Sequence, residues 1–112
     1  MQVLVIDDDP VVRRLVSLTL SDEGHAVQTA TDGADALSVV RDAFAPDAII
    51  LDLEMPNMDG RACYRALREQ GIDAPVLVLS AYGAHAARRE LGAEAALDKP
   101  FDPYELVRRL ER

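Results

Sequence analysis

Short apolar runs recur along the chain, each followed by a polar turn and then by a stretch with helical spacing. The runs are Gln2 to Ile6, Ala26 to Ala30, Ile49 to Leu51, Val76 to Leu79 and Ala95 to Leu97. Their length and β-branched content predict buried strands. The intervening stretches carry apolar residues three and four apart, the spacing of one helix face. The first stripe is Val12, Leu15, Val16 and Thr19, with Arg13 and Arg14 turned outward. The second is Ala36, Leu37, Val40 and Phe44, and the third, within 61–70, has Cys63 and Leu67 one turn apart. A fourth helix over 84–91 is rich in alanine, and a fifth presents Leu106, Val107 and Leu110.

The punctuation agrees with this pattern. Asp9-Pro10 and Asp102-Pro103 suit an N-cap followed by the first helical position, and Glu105 completes the second start signal. Asp32-Gly33 and Asp59-Gly60 open the second and third helices, with Gly60 read as a turn residue. Gly24, Pro46, Gly71 and Gly92 close the first four. Met55-Pro56-Asn57-Met58 is a loop between the third strand and its helix. Five strand–helix alternations predict an α/β fold, a doubly wound five-stranded parallel sheet in the order 2-1-3-4-5. A chain of 112 residues fits a single domain, residues 1–112.

Composition narrows the function. The net charge of −8 disfavours direct binding to nucleic acid or to an anionic membrane. Cys63 is the only cysteine, so neither an internal disulfide nor a cysteine-based metal site is available. No leader segment and no apolar run of membrane-spanning length is read, so the expected location is cytoplasmic. Eleven of the twelve cations are arginine; the lone lysine, Lys99, calls for a site-specific explanation.

A parallel sheet sends every strand's carboxyl end to one edge, where ligands bind. Asp7 and Asp8 end the first strand, Asp52 the third, Ser80 the fourth and Lys99 the fifth. Carboxylates gathered there repel: one pair at about 4 Å and an effective dielectric near 20 costs about 4 kcal/mol. A hard divalent cation, magnesium (Mg2+), relieves this, and the Lys99 ammonium offsets more. Carboxylates, a metal, a hydroxyl and one lysine are the parts of a phosphoryl-transfer site.

At this point the sequence resembles the receiver domain of bacterial two-component response regulators. Val3-Leu-Val-Ile-Asp7-Asp8-Asp9, Asp52-Leu-Glu-Met-Pro-Asn-Met-Asp-Gly60, Ser80-Ala81 and Lys99-Pro100-Phe101 carry the resemblance, which covers the whole chain. It implies a flavodoxin-like (βα)5 fold and a phosphoprotein in which Asp52 takes a phosphoryl group from a sensor histidine kinase or phosphotransfer protein. It implies a signalling domain that promotes only its own phosphorylation and dephosphorylation. Asp7, Asp8, Asp52 and the Glu54 backbone carbonyl are the implied magnesium site, Asp7 acting through water and the Glu54 side chain not being needed. Ser80 and Lys99 are implied to hold the phosphoryl oxygens, and the Lys99–Pro100 bond to be cis. An output domain outside this chain, kinase docking on the first helix through Arg13 and Arg14, and a phosphorylation-dependent homodimer are further implications. One position departs from the family: the usual aromatic three residues before the lysine is Ala96. Tyr82 and Tyr104 stand near as substitutes, against a plain surface role.

The same residues admit other readings. Asp7-x-Asp9 matches the nucleophile and acid spacing of haloacid dehalogenase-type phosphatases, but the carboxylate at Asp52 is then unexplained. A flavin phosphate would be repelled by three aspartates after the first strand. A non-phosphorylated adaptor leaves the acidic set without a purpose. Asp9 and Asp59 read as helix caps, Met55, Met58 and Cys63 as packing, and His25 and His85 as surface residues.

Overall fold

The computed structural model describes residues 1–42, 44–55 and 58–111. Strands and helices alternate as β1 (Gln2–Ile6), α1 (Pro10–Asp22), β2 (Ala26–Ala30), α2 (Gly33–Arg41), β3 (Ala48–Asp52), α3 (Gly60–Glu69), β4 (Val76–Ser80), α4 (Ala84–Leu91), β5 (Ala95–Asp98) and α5 (Pro103–Leu110). The strands form one parallel sheet in the order β2-β1-β3-β4-β5. Of the loop read between β3 and α3, Pro56 and Asn57 lie outside the described residues.

Burial grades from the middle of the sheet outward. β3 and β4 are buried along their whole length, whereas the edge strands β2 and β5 are partly exposed. Strand residues alternate between two apolar cores because successive side chains leave opposite faces. On one face Leu4, Ile6, Ile49, Leu51, Val76 and Val78 pack with Ala36, Cys63 and Leu67. On the other, Val3, Val5, Ile50, Leu77 and Leu79 pack with Val16, Leu20, Leu106 and Val107. The register keeps each row on one face, as in Ile6 beside Leu51 and Leu51 beside Val78. A fully buried Leu or Ile contributes about 1.5–3 kcal/mol, so the central strands are fixed strongly.

The helix starts follow the sequence signals. The side chains of Asp9, Asp32, Asp59 and Asp102 accept hydrogen bonds from Val11, Asp35, Ala62 and Tyr104 backbone N–H groups. Glu105 does not reach back to the N-cap; it pairs with Arg108 and Arg109 instead. Other expectations fail in detail. The inward stripe of α1 is Val12, Val16 and Leu20, while Leu15 is 46% exposed. Leu15 and Val16 are about 100° apart around a helix, and the sheet takes the Val16 side. Gly60, expected as a turn residue, is instead the buried first position of α3. His25 is not a surface residue: its side chain is only 9% exposed and sits between the N-terminal amine at 3.2 Å and Glu111 at 2.9 Å.

Candidate functional site: an acidic cluster at the carboxyl edge of the sheet

Because β1 and β3 are adjacent and parallel, their tips lie side by side. Asp7 follows β1 directly and is fully buried; Asp52 closes β3 and is 1% exposed. Asp8, one residue on, turns out to solvent. Each of the three offers a carboxylate oxygen within 4.8 Å of the others. Local backbone fixes their orientation. Asp7 Oδ1 accepts from the Asp9 N–H at 3.0 Å, and Asp52 Oδ1 accepts from the Glu54 N–H at 3.2 Å. Arg13, expected to face outward, instead donates to the Asp7 carbonyl at 2.8 Å.

Lys99 comes from the loop after β5 and lies across the cluster. Its Nζ is 3.3 Å from Asp7 Oδ2 and 3.2 Å from Asp52 Oδ1. The Lys99–Pro100 peptide is cis, as the resemblance implied. Burial pushes the Asp52 carboxyl up, the neighbouring Asp7 charge adds to this, and Lys99 and the Glu54 N–H pull it back, leaving it at about 7. Burial alone would lower the Lys99 ammonium, but Asp7 and Asp52 together more than offset it, so it stays above the usual lysine value.

One lysine does not satisfy the site. Asp7 Oδ2 is buried without a hydrogen-bond partner, although Lys99 supplies opposite charge nearby. An orphaned carboxylate oxygen beside two further carboxylates, one of them open to water, is a donor set that fits a hard divalent cation. The residues therefore could hold a metal ion. Asp9, the would-be acid of a phosphatase reading, is occupied as the α1 cap.

Ser80 closes β4 and is 1% exposed. Its hydroxyl lies 2.8 Å from Glu54 Oε2 and 2.6 Å from the Tyr82 carbonyl, two acceptors competing for one proton. The same oxygen accepts from the Tyr82 N–H at 3.1 Å. Glu54 Oε1 accepts from the Ala81 N–H at 2.7 Å. The Glu54 side chain was missed in the sequence reading, which assigned a role only to its backbone. No local pattern could have revealed it, because the partners come from a different strand.

Gly60 explains how the β3 tip is held. Its N–H donates to the Leu53 carbonyl at 3.0 Å. A Cβ there would lie 2.5 Å from the Asp52 carbonyl oxygen and 2.5 Å from Leu53 Cα, so α3 starts against the backbone of Asp52 itself. Ala96, at the departing position, is buried on the same face as Ala84 and Ala87 of α4. Tyr82 and Tyr104 are 89% and 62% exposed, in keeping with the surface role.

The chain is similar to known proteins. Response regulator MprA of Mycobacterium avium (strain 104) is 41% identical over 113 residues, 98% of this chain and 49% of that protein. Response regulator MprA of Mycobacterium leprae (strain TN) is 42% identical over 114 residues, again 98% of this chain and 49% of that one. The chain spans about half the length of these curated relatives. Among solved structures, chemotaxis protein CheY4 of Vibrio cholerae superposes with a TM-score of 0.90 at 37% identity, covering 99% of this chain and 96% of that one. The Francisella response regulator 1452 receiver domain gives 0.88 at 33% identity, covering 98% and 93%. The response regulator receiver domain matches residues 3–111, and the chain belongs to that family.

Proposed function

We propose that residues 1–112 form a single receiver domain in which Asp52 is the phosphoacceptor. The observation that carries this reading is the burial of Asp52 beside Asp7 with the Lys99 ammonium 3.2 Å from its oxygen. A desolvated carboxylate so placed is oriented and partly neutralised, yet keeps an oxygen for attack. The phosphoryl donor is a phosphohistidine on a sensor histidine kinase or phosphotransfer protein. An Asp52 oxygen forms the bond to phosphorus as the phosphorus–nitrogen bond breaks, and the leaving imidazole nitrogen keeps the electron pair and takes up a proton. Lys99 holds one phosphoryl oxygen, and the Ser80 hydroxyl donates to another. Asp7, Asp8, Asp52 and the Glu54 backbone carbonyl hold magnesium. When bound, that ion neutralises charge on the phosphoryl oxygens. Bound there, the ion would also offset the repulsion among Asp7, Asp8 and Asp52 and give the orphaned Asp7 Oδ2 a partner.

The docking face for the phosphodonor protein is α1. Val11, Leu15 and Leu18 are 72%, 46% and 54% exposed there, with Arg14 beside them. The phosphorylated state passes its signal to an output domain or partner, with a homodimer as one form of that response. The setting is cytoplasmic, and no helix among the described residues is long and apolar enough to cross a membrane.

Intact-mass spectrometry after treatment with acetyl phosphate and magnesium tests the chemistry. The expected result is one added phosphoryl group, absent in Asp52→Asn, with molecular size measured before and after. Equal labelling of Asp52→Asn would refute the assignment.

A further inference from the structure

Two donors at the end of β4 are already engaged, one of them the Ser80 hydroxyl proposed to hold a phosphoryl oxygen. Glu54 Oε2 lies 2.8 Å from the Ser80 hydroxyl oxygen, and Glu54 Oε1 takes the Ala81 N–H at 2.7 Å. One carboxylate thus spans two adjacent donors at the end of β4, sharing the Ser80 proton with the Tyr82 carbonyl at 2.6 Å. These are charge-assisted contacts of the stronger kind. They are made by a residue just past Asp52 on the neighbouring strand, in a rim that already holds Asp7, Asp8 and Asp52. A fourth acid adds repulsion to that rim, and its two hydrogen bonds across to the β4–α4 loop are what offset it.

We propose that the Glu54 carboxylate is a positioning residue and internal competitor, occupying the Ser80 hydroxyl and the Ala81 amide until a phosphoryl oxygen displaces it. The inference rests on Asp52 being the phosphoacceptor. An anionic oxygen on Asp52 and the Glu54 carboxylate ask for the same donors, so they exclude one another. Occupation by Glu54 holds the Ser80–Tyr82 turn in its present form, in which the Ser80 oxygen also accepts from the Tyr82 N–H. Phosphorylation frees Glu54, and the loop then re-forms around the new group. This exchange gives the domain a two-state element at the β4–α4 loop that needs no swinging ring. That matters here because position 96 is an alanine packed on the same face as Ala84 and Ala87. Glu54 therefore sets how readily the phosphorylated form is populated. Its removal favours that form, by a factor on the order of ten if one charge-assisted hydrogen bond is released.

The test uses the whole chain with magnesium and beryllium fluoride, a non-reactive stand-in for the phosphoryl group, on wild type, Glu54→Gln, Glu54→Ala and Asp52→Asn. The half-saturating fluoride complex concentration is read from the Ala81 and Ser80 amide resonances. Glu54→Ala is expected to bind about tenfold more tightly and Glu54→Gln by a smaller factor. Before any addition, the Ala81 amide proton in wild type is expected downfield of its position in Glu54→Ala. Unchanged or weaker binding by Glu54→Ala, or an Ala81 amide indifferent to the substitution, would overturn the competitor role while leaving the Asp52 assignment standing. Wild-type binding by Asp52→Asn would overturn both.

Discussion

Lys99 Nζ stands 3.2 Å from Asp52 Oδ1, tying the loop after β5 to the tip of β3 across the intervening β4. The same nitrogen is 3.3 Å from Asp7, so one cation balances two buried carboxylates. Removing it leaves both without compensation, and breaking a buried pair costs roughly 3 kcal/mol. Lys99→Met should therefore lower the denaturant midpoint at neutral pH in chelator, and the loss should shrink when magnesium is added. Phosphoryl incorporation should fall roughly a hundredfold, the scale set by loss of one preorganised charge-stabilising group. Unfolding curves with and without magnesium, beside intact-mass time courses, check both parts.

The Asp52 carboxyl gives a pH dependence with a definite sign. Its value of about 7 in the folded chain lies above the ordinary 3.8, so the folded state binds more protons between the two. The stabilisation this group provides is fully present below about pH 4 and is lost as pH rises through about 7. In chelator, Asp52→Asn should be more stable than wild type at pH 8, by on the order of 2–4 kcal/mol, and nearly equal to it near pH 4. Magnesium should narrow or close this gap at pH 8, since it favours the ionised cluster of the wild type; a concentration a hundred times the dissociation constant adds about 2.7 kcal/mol, comparable to the gap itself. Urea titrations of the two proteins across pH, with and without the ion, follow this difference. A constant gap at every pH would show that burial does not hold the Asp52 proton.

The strands were legible because short continuous apolar runs bounded by polar turns leave little freedom: β1 and β2 have the bounds read from sequence, and β3 to β5 differ by a residue or so. Convergence of Asp7, Asp8, Asp52 and Lys99 followed from topology alone, since every parallel strand ends at the same edge. What stayed hidden were contacts made by flexible side chains between elements remote in sequence. Glu54 reaching Ser80 and Ala81, and His25 reaching Glu111, depend on loop paths that no periodicity encodes. The rotation of α1 was hidden for a related reason. Leu15, Val16 and Leu18 are all apolar, so the pattern marks a broad face, and only packing selects the part that is buried.

Gly60 and Gly33 separate close backbone approach from merely close packing. A methyl at position 60 would meet the Asp52 carbonyl and Leu53 Cα, both backbone, at 2.5 Å. At position 33 it would meet Met58 Sδ at 2.5 Å, the far part of a flexible side chain. Gly60→Ala should cost about 2–3 kcal/mol, near the upper range for overpacking, and should also displace Asp52 and slow its labelling. Gly33→Ala should cost less than about 1.5 kcal/mol and leave labelling at the wild-type rate. Urea unfolding and acetyl phosphate time courses on the two variants make the comparison.

Arg13 and Arg14 are sequence neighbours with different tasks. Arg13 donates to the Asp7 carbonyl at 2.8 Å and so steadies the turn that presents Asp7 and Asp8, whereas Arg14 is exposed on the apolar face of α1. Arg13→Ala should lose about 1–2 kcal/mol of stability, the worth of a hydrogen bond from a charged donor. It should also weaken magnesium binding several-fold, because the Asp7–Asp8 turn must then be ordered by the ion itself. Arg14→Ala should change neither quantity by more than about 0.5 kcal/mol, as expected of a surface substitution. Its effect should instead fall on transfer from a protein phosphodonor, with labelling by acetyl phosphate unaltered. Thermal unfolding over a magnesium series, run beside the two labelling reactions, separates the roles. Matched behaviour of the two variants would remove the distinction between the arginine bonded to the acidic turn and the one exposed on the apolar face of α1.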